Sequence, residues 1–339
     1  MEQRFDEGPD ITQIARQALV GRGRLLLAVS GGLDSMVLLD AAARVVNRGD
    51  LRVATYDHAT GPHAARAVKL VLRRCRDLGI MCVSGRATKA GTRESEWRAA
   101  RWTFLRGEAE LSGSTIVTAH TLDDQIETVF IRVLRGAGAR GLAGLYAESD
   151  IVRPFVALAR DCIARHAARF GVTWVDDPSN FSRLHLRNRV RHDLLPAIVR
   201  LRPDFPAQLI DISLDAAQWR RSMVSLADAV TTAAGSDGSL RIARAALAGY
   251  DAEGLRALWP SLAARSNVVM DRRGTHRLAE FTMNGQTGGS IQLSGGIEVR
   301  MFRDHLLLRR WDTRGVQRAR NARLLRLGMQ LPAALESLR

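Results

Sequence analysis

Arg24-Leu25-Leu26-Leu27-Ala28-Val29-Ser30-Gly31-Gly32-Leu33-Asp34-Ser35 is an apolar run that stops at a turn of small residues and gives way to an apolar-rich stretch, Asp34 to Val46. This order predicts a strand, a tight turn and a helix. Two glycines let the turn's backbone approach a ligand closely. The two serines and the first helical N–H groups then face an anion, with the positive end of the helix dipole behind them. Ser30, Gly31, Gly32, Leu33, Asp34 and Ser35 are therefore expected to cradle a pyrophosphate. The hexapeptide has neither the lysine of G-x-x-x-x-G-K-S/T nor the spacing of G-x-G-x-x-G.

Outward from this turn the same alternation repeats. A second strand, Leu51 to Tyr56, ends at Asp57-His58, and a helix is expected over Ala64 to Leu78. A third strand covers Gly79 to Ser84, and a fourth, Ser114 to Thr118, ends at Ala119-His120. Strands alternating with helices imply right-handed crossovers and an α/β fold, a mostly parallel twisted sheet with helices on both faces. Ligands bind such sheets at the carboxyl ends of the strands, which is where Ser30 to Ser35, Asp57-His58 and His120 to Glu127 fall. Further on, Ile151 to Phe155 is strand-like, Leu158 to Phe170 helical, and Asp204 to Ala234 a long connecting helix. Gly235 to Gly238 is a turn or linker. The chain thus reads as three parts: a catalytic domain over 1–204, a helical linker over 205–240, and a smaller basic α+β domain over 241–339 with a hairpin within Gly288 to Arg310.

The chain has 339 residues, 46% of them hydrophobic, enough for two packed cores and against wholesale disorder. Its 50 basic and 35 acidic residues leave +15, a surplus that points to a polyanionic partner, nucleic acid first. Lys69 and Lys89 are the only lysines, and 241–339 holds 17 arginines against 8 acids. Codon bias toward arginine accounts for most of this preference. Cys75, Cys82 and Cys162 form no C-x-x-C pair, which argues against a disulfide framework, a zinc site or an iron–sulfur cluster. Met1 to Pro9 has no signal-peptide pattern and no stretch approaches the ~18 apolar residues of a membrane span, so a cytoplasmic protein with no membrane partner is expected.

A second constellation is Thr118-Ala119-His120-Thr121-Leu122-Asp123-Asp124-Gln125-Ile126-Glu127-Thr128. On a helix Asp124 and Glu127 share one face, while Ile126, Val129, Phe130 and Val133 supply the apolar one. The acids either favour the helix dipole and stay solvated, the plain reading for Asp123, or hold Mg²⁺ or an ammonium group. Arg135-Gly136-Ala137-Gly138 begins a glycine-spaced loop that is a weak signal alone. Trp174 to Pro196 is unusually polar, with Arg187, Arg189 and Arg191 either a solvated helix face or a grip on phosphates.

Together with Glu96-Trp97-Arg98-Ala99-Ala100-Arg101-Trp102, Arg153-Pro154 and Asp177-Pro178-Ser179-Asn180, these motifs stand in an order that resembles the tRNA(Ile)-lysidine synthetase family. That family is one of the PP-loop ATP pyrophosphatases, of adenine nucleotide α-hydrolase-like fold. The likeness is dense over 24 to 200 and weaker over 240 to 310, where Leu293-Ser294-Gly295-Gly296 is similar to the family's substrate-binding C-terminal domain. It implies a carbon–nitrogen ligase that uses ATP and Mg²⁺ to attach free L-lysine to C2 of the wobble cytidine of an isoleucine tRNA with a CAU anticodon. An adenylated cytidine is the implied intermediate, and a homodimer is implied by resemblance alone. Carried onto this sequence, catalysis falls to Asp34, Asp124, Glu127 and Arg191. Nucleotide binding falls to Ser30 through Ser35, Asp57, His120 and Arg187, and the metal to Asp34. Ala59-Thr60-Gly61-Pro62 departs from the Gly-Leu-Arg expected there, and Trp102 replaces a tyrosine. The alternative is a PP-loop tRNA thiolase, for which the cysteines offer no pair.

Overall fold

Leu25–Ala28 form β1, with Leu25 and Leu27 buried on one face of a sheet and Leu26 on the other. The structure, a computed structural model, describes residues 9–59, 61–87, 94–176, 182–230 and 232–310. Asp177-Pro178-Ser179-Asn180 and the arginine-rich tail from residue 311 lie outside the described residues. The chain divides into two units that part between Gln218 and Trp219.

The first unit begins with α1 (Ile11–Leu19), capped by the Asp10 carboxylate, which accepts the Thr12 and Gln13 N–H groups. After β1 come α2 (Leu33–Val45), β2 (Leu51–Asp57), α3 (Pro62–Leu78), β3 (Met81–Arg86), α4 (Glu94–Ser112) and β4 (Thr115–Val117). All pairings in this sheet are parallel, in the order β3-β2-β1-β4. Leu25, Leu27, Val53 and Val117 pack against α1, α2, α3 and α7 (Arg160–Phe170), while Leu26, Ala54 and Ile116 meet Leu105 of α4. Helices thus cover both faces, as expected of a parallel sheet. Between β4 and α7 lie α5 (Leu122–Leu134) and the single turn α6 (Ala139–Leu142). After α7 come α8 (Leu186–Arg189), a π-helical turn over Val190–Leu194, α9 (Leu195–Leu201) and α10 (Phe205–Ala229).

Three boundaries differ from the sequence reading for local reasons. Gly79 is the left-handed cap of α3 at φ +65, so β3 starts two residues later than expected. The strand expected over Ile151 to Phe155 reduces to one bridge, Val117 to Val152, because Pro154 cannot extend a ladder. The long helix ends at Ala229, five residues early.

The second unit is antiparallel. β5 (Thr232–Ala234), β6 (Leu240–Ala243), β7 (Ser290–Leu293), β8 (Ile297–Met301) and β9 (His305–Arg310) form a sheet in the order β5-β6-β9-β8-β7. Two helices, α11 (Ala252–Ala264) and α12 (Arg272–Asn284), share its core with Trp259, Leu278, Val299 and Leu308. The expected hairpin is β7–β8, extended by β9. An α/β domain followed by a smaller α+β one is the fold class read from the sequence.

Candidate active site

The strand order sets the position of the site. The chain adds β2 and β3 on one side of β1 and β4 on the other, so the loops leaving β1 and β4 diverge and open a crevice at the carboxyl ends of the sheet. The Ser30 to Ser35 loop fills one side of this crevice. Gly31 adopts φ +88, and a Cβ there would stand 2.9 Å from the Ala67 carbonyl oxygen and Cβ, so only glycine fits. The loop is tied by its own serines. Ser35 Oγ donates to the Gly32 carbonyl at 2.9 Å and accepts from the Ser30 N–H at 3.2 Å. The Val175 N–H donates to the Gly31 carbonyl at 3.0 Å, tying the segment after α7 to the loop. Gly32, the residue capping α2, has no side chain to take up the helix's first N–H groups, which leaves them directed at the crevice.

Asp34, in the first turn of α2, has an Oδ1 that is buried without a hydrogen-bond partner, and its nearest opposite charge is Arg160 Nε at 3.6 Å. Burial pushes its pKa up to about 6; Arg160 opposes the rise, and Asp124 adds to it. An orphaned carboxylate oxygen beside a phosphate loop fits a hard cation that takes its remaining ligands from phosphate and water, as Mg²⁺ does. Among the described residues no cluster of three His, Cys, Asp or Glu could hold a metal by itself. Asp34 is the residue here whose carboxylate oxygen could take such an ion.

On the other side, Thr121 and Asp124 form a capping box at the start of α5. Asp123 accepts the Arg160 N–H at 2.8 Å and so fastens the start of α7, a structural use of the acid read as solvated. Asp124 and Glu127 meet two arginines from α8 and the π-helical turn. Arg187 reaches Asp124 Oδ1 with Nη2 and Glu127 Oε2 with Nε, both at 2.8 Å. Arg191 reaches Glu127 Oε2 at 3.0 Å and Asp124 Oδ1 at 3.4 Å. Glu127 is buried. Burial alone would raise the Asp124 pKa, but Arg187 and the Thr121 N–H outweigh it and hold the group below the ordinary range. His120 accepts or donates at Nδ1 to Thr118 Oγ1 over 2.8 Å. Burial first of all, with Arg153 and Arg187 assisting, depresses its pKa to about 4, so the imidazole is neutral at neutral pH.

A cavity of about 400 Å³ gathers Ser30, Gly32, Leu33, Asp34, Ser35, His120, Asp124, Arg187 and Arg191 on one lining. Gly31 stands in the same loop, and Glu127 lies behind the two arginines. Asp57 stands apart: it accepts the Ala59 N–H at 2.8 Å and pairs with Arg86 at 3.4 Å, closing the ends of β2 and β3. The glycine-spaced loop after α5 serves packing. Gln125, fully buried, donates to the Ala143 carbonyl and accepts the Leu145 N–H, and Gly144 at φ +60 makes room for it.

Sequence reasoning assigned no role to Trp97, Arg101, Arg160 or His185, which also line the cavity. Arg101 Nε is buried without a hydrogen-bond partner; burial and then Arg98 and Arg187 lower its pKa. A buried cation beside other cations is a place for an anionic ligand. Its signal was the arginine pair three residues apart in Glu96 to Trp102, legible as a motif but silent about the surface it faces.

Comparison with known proteins bears on this geometry. A family model described as a PP-loop domain matches residues 8–198. A tRNA(Ile)-lysidine synthase of Hyphomonas neptunium is 33% identical over 84% of this chain and 80% of that protein. Another, of Methylobacterium sp. strain 4-46, is 36% identical over 76% and 75%. With that of Alkalilimnicola ehrlichii the match is 35% identical over 52% of this chain and 42% of the relative. Among solved structures, a U34-tRNA thiolase of Methanococcus maripaludis that carries a 4Fe–4S cluster superposes with a TM-score of 0.50 at 14% identity. It covers 61% of this chain and 78% of that one, a likeness of fold.

Proposed function

Because the chain belongs to the tRNA(Ile)-lysidine synthase family of PP-loop ligases, we propose that it joins free L-lysine to C2 of the wobble cytidine in the CAU anticodon of an isoleucine tRNA. ATP is the co-substrate, and AMP and pyrophosphate are released. The observation that carries this reading is the crevice that places the Ser30 to Ser35 loop on one lining with Asp124 and with Arg187 and Arg191, the arginines that pair with Asp124 and Glu127.

In this reading the first N–H groups of α2 and the hydroxyls of Ser30 and Ser35 hold the β- and γ-phosphates of ATP. Asp34 holds Mg²⁺, which when bound neutralises charge on the phosphates. The cytosine O2 attacks the α-phosphorus and the bond to pyrophosphate breaks, leaving an adenylated base whose C2 is electrophilic. The lysine ε-ammonium gives up one proton, the neutral amine adds at C2, AMP departs with O2, and the new C–N nitrogen loses a further proton. Asp124, held ionised, binds the incoming ammonium; Glu127, once the arginines that cover it turn to the phosphates, is the carboxylate that takes up the proton the ammonium gives up. Arg187 and Arg191 are shared between these acids and the phosphates, so an arriving ATP draws them toward the loop and opens an Asp124 oxygen to lysine. Neutral His120 serves as a hydrogen-bonding group. The basic domain, residues 241–339, grips the tRNA backbone, and the reaction belongs in the cytoplasm. No described helix is long and apolar enough to cross a membrane.

The test is incorporation of radiolabelled lysine into a transcript of the CAU-anticodon isoleucine tRNA, with ATP and Mg²⁺, beside the CAU-anticodon methionine tRNA. Label in the isoleucine transcript alone is the expected result. ATP cleavage without label would reject lysine as the nucleophile and bring forward the thiolase reading.

A further inference from the structure

We infer that Trp97, braced by His185, is the platform on which the pyrimidine base of the RNA substrate stacks when it enters the crevice. The inference rests on the function proposed above and names a residue to which that reading gives no part.

The crevice has two lobes. The larger is the 400 Å³ cavity described above; the smaller, about 290 Å³, is lined by Tyr56, His58, His63 and Ala67, and both share Ser30, Gly32 and Arg101. A reaction that joins the α-phosphate of one nucleotide to the base of another needs two such compartments meeting at the phosphate loop. The base that lysine attacks must lie with the acids, and Asp34 and Asp124 line the larger lobe. Adenosine is left to the smaller.

Among the described residues four aromatic side chains line the larger lobe: Trp97, Trp102, His120 and His185. Trp102 packs against the core cluster of Leu26 and Leu105, and the Arg106 guanidinium lies 5.9 Å from its ring. His120 is engaged by Thr118. Trp97 and His185 form an edge-to-face pair with ring centroids 6.1 Å apart. A run of rings leads on from Trp97, with His58 at 6.4 Å, Tyr56 at 5.1 Å from His58, and Phe104 at 5.4 Å from Tyr56. An indole fixed on α4 one turn before Arg101 is preorganised, so little side-chain freedom is lost on stacking. Unpaired bases are commonly read this way, by an aromatic face that replaces the stack they leave. The adjacent Arg101 then meets the charge that develops on the base and phosphate.

The experiment uses the full chain and an anticodon stem-loop RNA carrying the fluorescent base pyrrolo-cytosine at the wobble position, together with lysine-incorporation kinetics on the unlabelled tRNA. With the native chain, stacking should quench pyrrolo-cytosine; Trp97→Ala is expected to abolish that quenching, to raise KM for tRNA by about 5- to 150-fold and to leave KM for ATP unchanged. Trp97→Phe restores most of both, which a packing defect would not. A rise in KM for ATP alone would assign Trp97 to adenine and overturn the inference, as would full quenching and unchanged constants in Trp97→Ala. Absence of lysine incorporation by the native chain would instead reject the proposed function, with the quenching still reporting whether the base reaches Trp97.

Discussion

Replacing Asp40 by asparagine tests how the phosphate loop is held from behind. Asp40 lies in α2, six residues beyond Asp34, and is 3% exposed. It accepts Arg44 Nε from its own helix at 2.8 Å, Arg74 Nη2 from α3 at 3.2 Å and pairs with His166 Nε2 from α7 at 3.2 Å. Burial pulls the Asp40 pKa upward, but the bonds to His166 and Arg44 prevail and set it at about 2, below its ordinary 3.8. At about 1.4 kcal/mol per unit, that difference is worth on the order of 2 to 3 kcal/mol to the folded state. The sign follows from the depression: the stabilisation is complete above the unfolded value near 3.8 and is lost as pH falls through about 2. The Asp40→Asn side chain keeps the volume and loses the charge. Denaturant unfolding of the native chain and of Asp40→Asn, fitted with two transitions because there are two units, should give a gap of about 2 to 3 kcal/mol in one transition at pH 7. The gap should close between about pH 4 and 2, once Asp40 in the native chain is itself protonated. A gap that stays constant, or widens with acid, would refute the linkage reasoning and with it the role of this cluster in holding α2 to α3 and α7.

Gly31→Ala imposes a left-handed alanine, a strain of roughly 1 to 2 kcal/mol, and a clash with the Ala67 backbone; ATP binding measured by calorimetry should weaken at least about tenfold. Gly144→Ala drives a Cβ into buried Gln125 and should lower stability by about 1 to 3 kcal/mol through its two hydrogen bonds, read as a fall in melting temperature with KM for ATP unchanged. Glu127→Gln removes a charge that faces Arg187 and Arg191; kcat/KM for lysine should fall roughly a hundredfold, while ATP affinity by equilibrium dialysis should hold or rise, because the freed arginines stay available to phosphate. If the basic C-terminal residues contact about six or more phosphates, tRNA affinity by filter binding should drop on the order of a thousandfold between about 50 and 200 mM salt; a flat salt response would remove them from the RNA interface.

The fold was legible where one local pattern decides it. The leucines of β1 and the glycines and serines after it allow one reading, and the burial of Leu25, Leu26 and Leu27 agrees with it. Asp34, Asp124, Arg187 and Arg191 were legible as chemistry, and their meeting at one cavity follows from the strand order, which sequence spacing only implies. Features set by contacts across long stretches of chain escaped. The pairing of Arg160 with Asp34 depends on where α7 docks, and the place of Trp97 on α4, a helix whose weak apolar period left it unread. Asp57 looked like a ligand-facing acid because it ends a strand, yet the neighbouring Arg86 and the turn at Ala59 take up its oxygens.

The π-helical turn at Val190–Leu194 acts as a register device. Each residue of an ordinary helix turns the chain by about 100°, and a turn that closes over five residues instead of four offsets the helix on its far side against the helix on its near side. Before and within it, Arg187 and Arg191 point to the carboxylates of α5 while Leu186 and Val190 pack with Val129 and Phe130 of that helix; after it, Leu195 and Ile198 continue the same small core. With five residues in the turn, Leu195 follows Val190 on one apolar row, which a regular helix would rotate away from α5. The length of this stretch therefore matters as much as its side chains: deleting one residue would close the turn over four and rotate Leu195 and Ile198 off the row that Val190 begins.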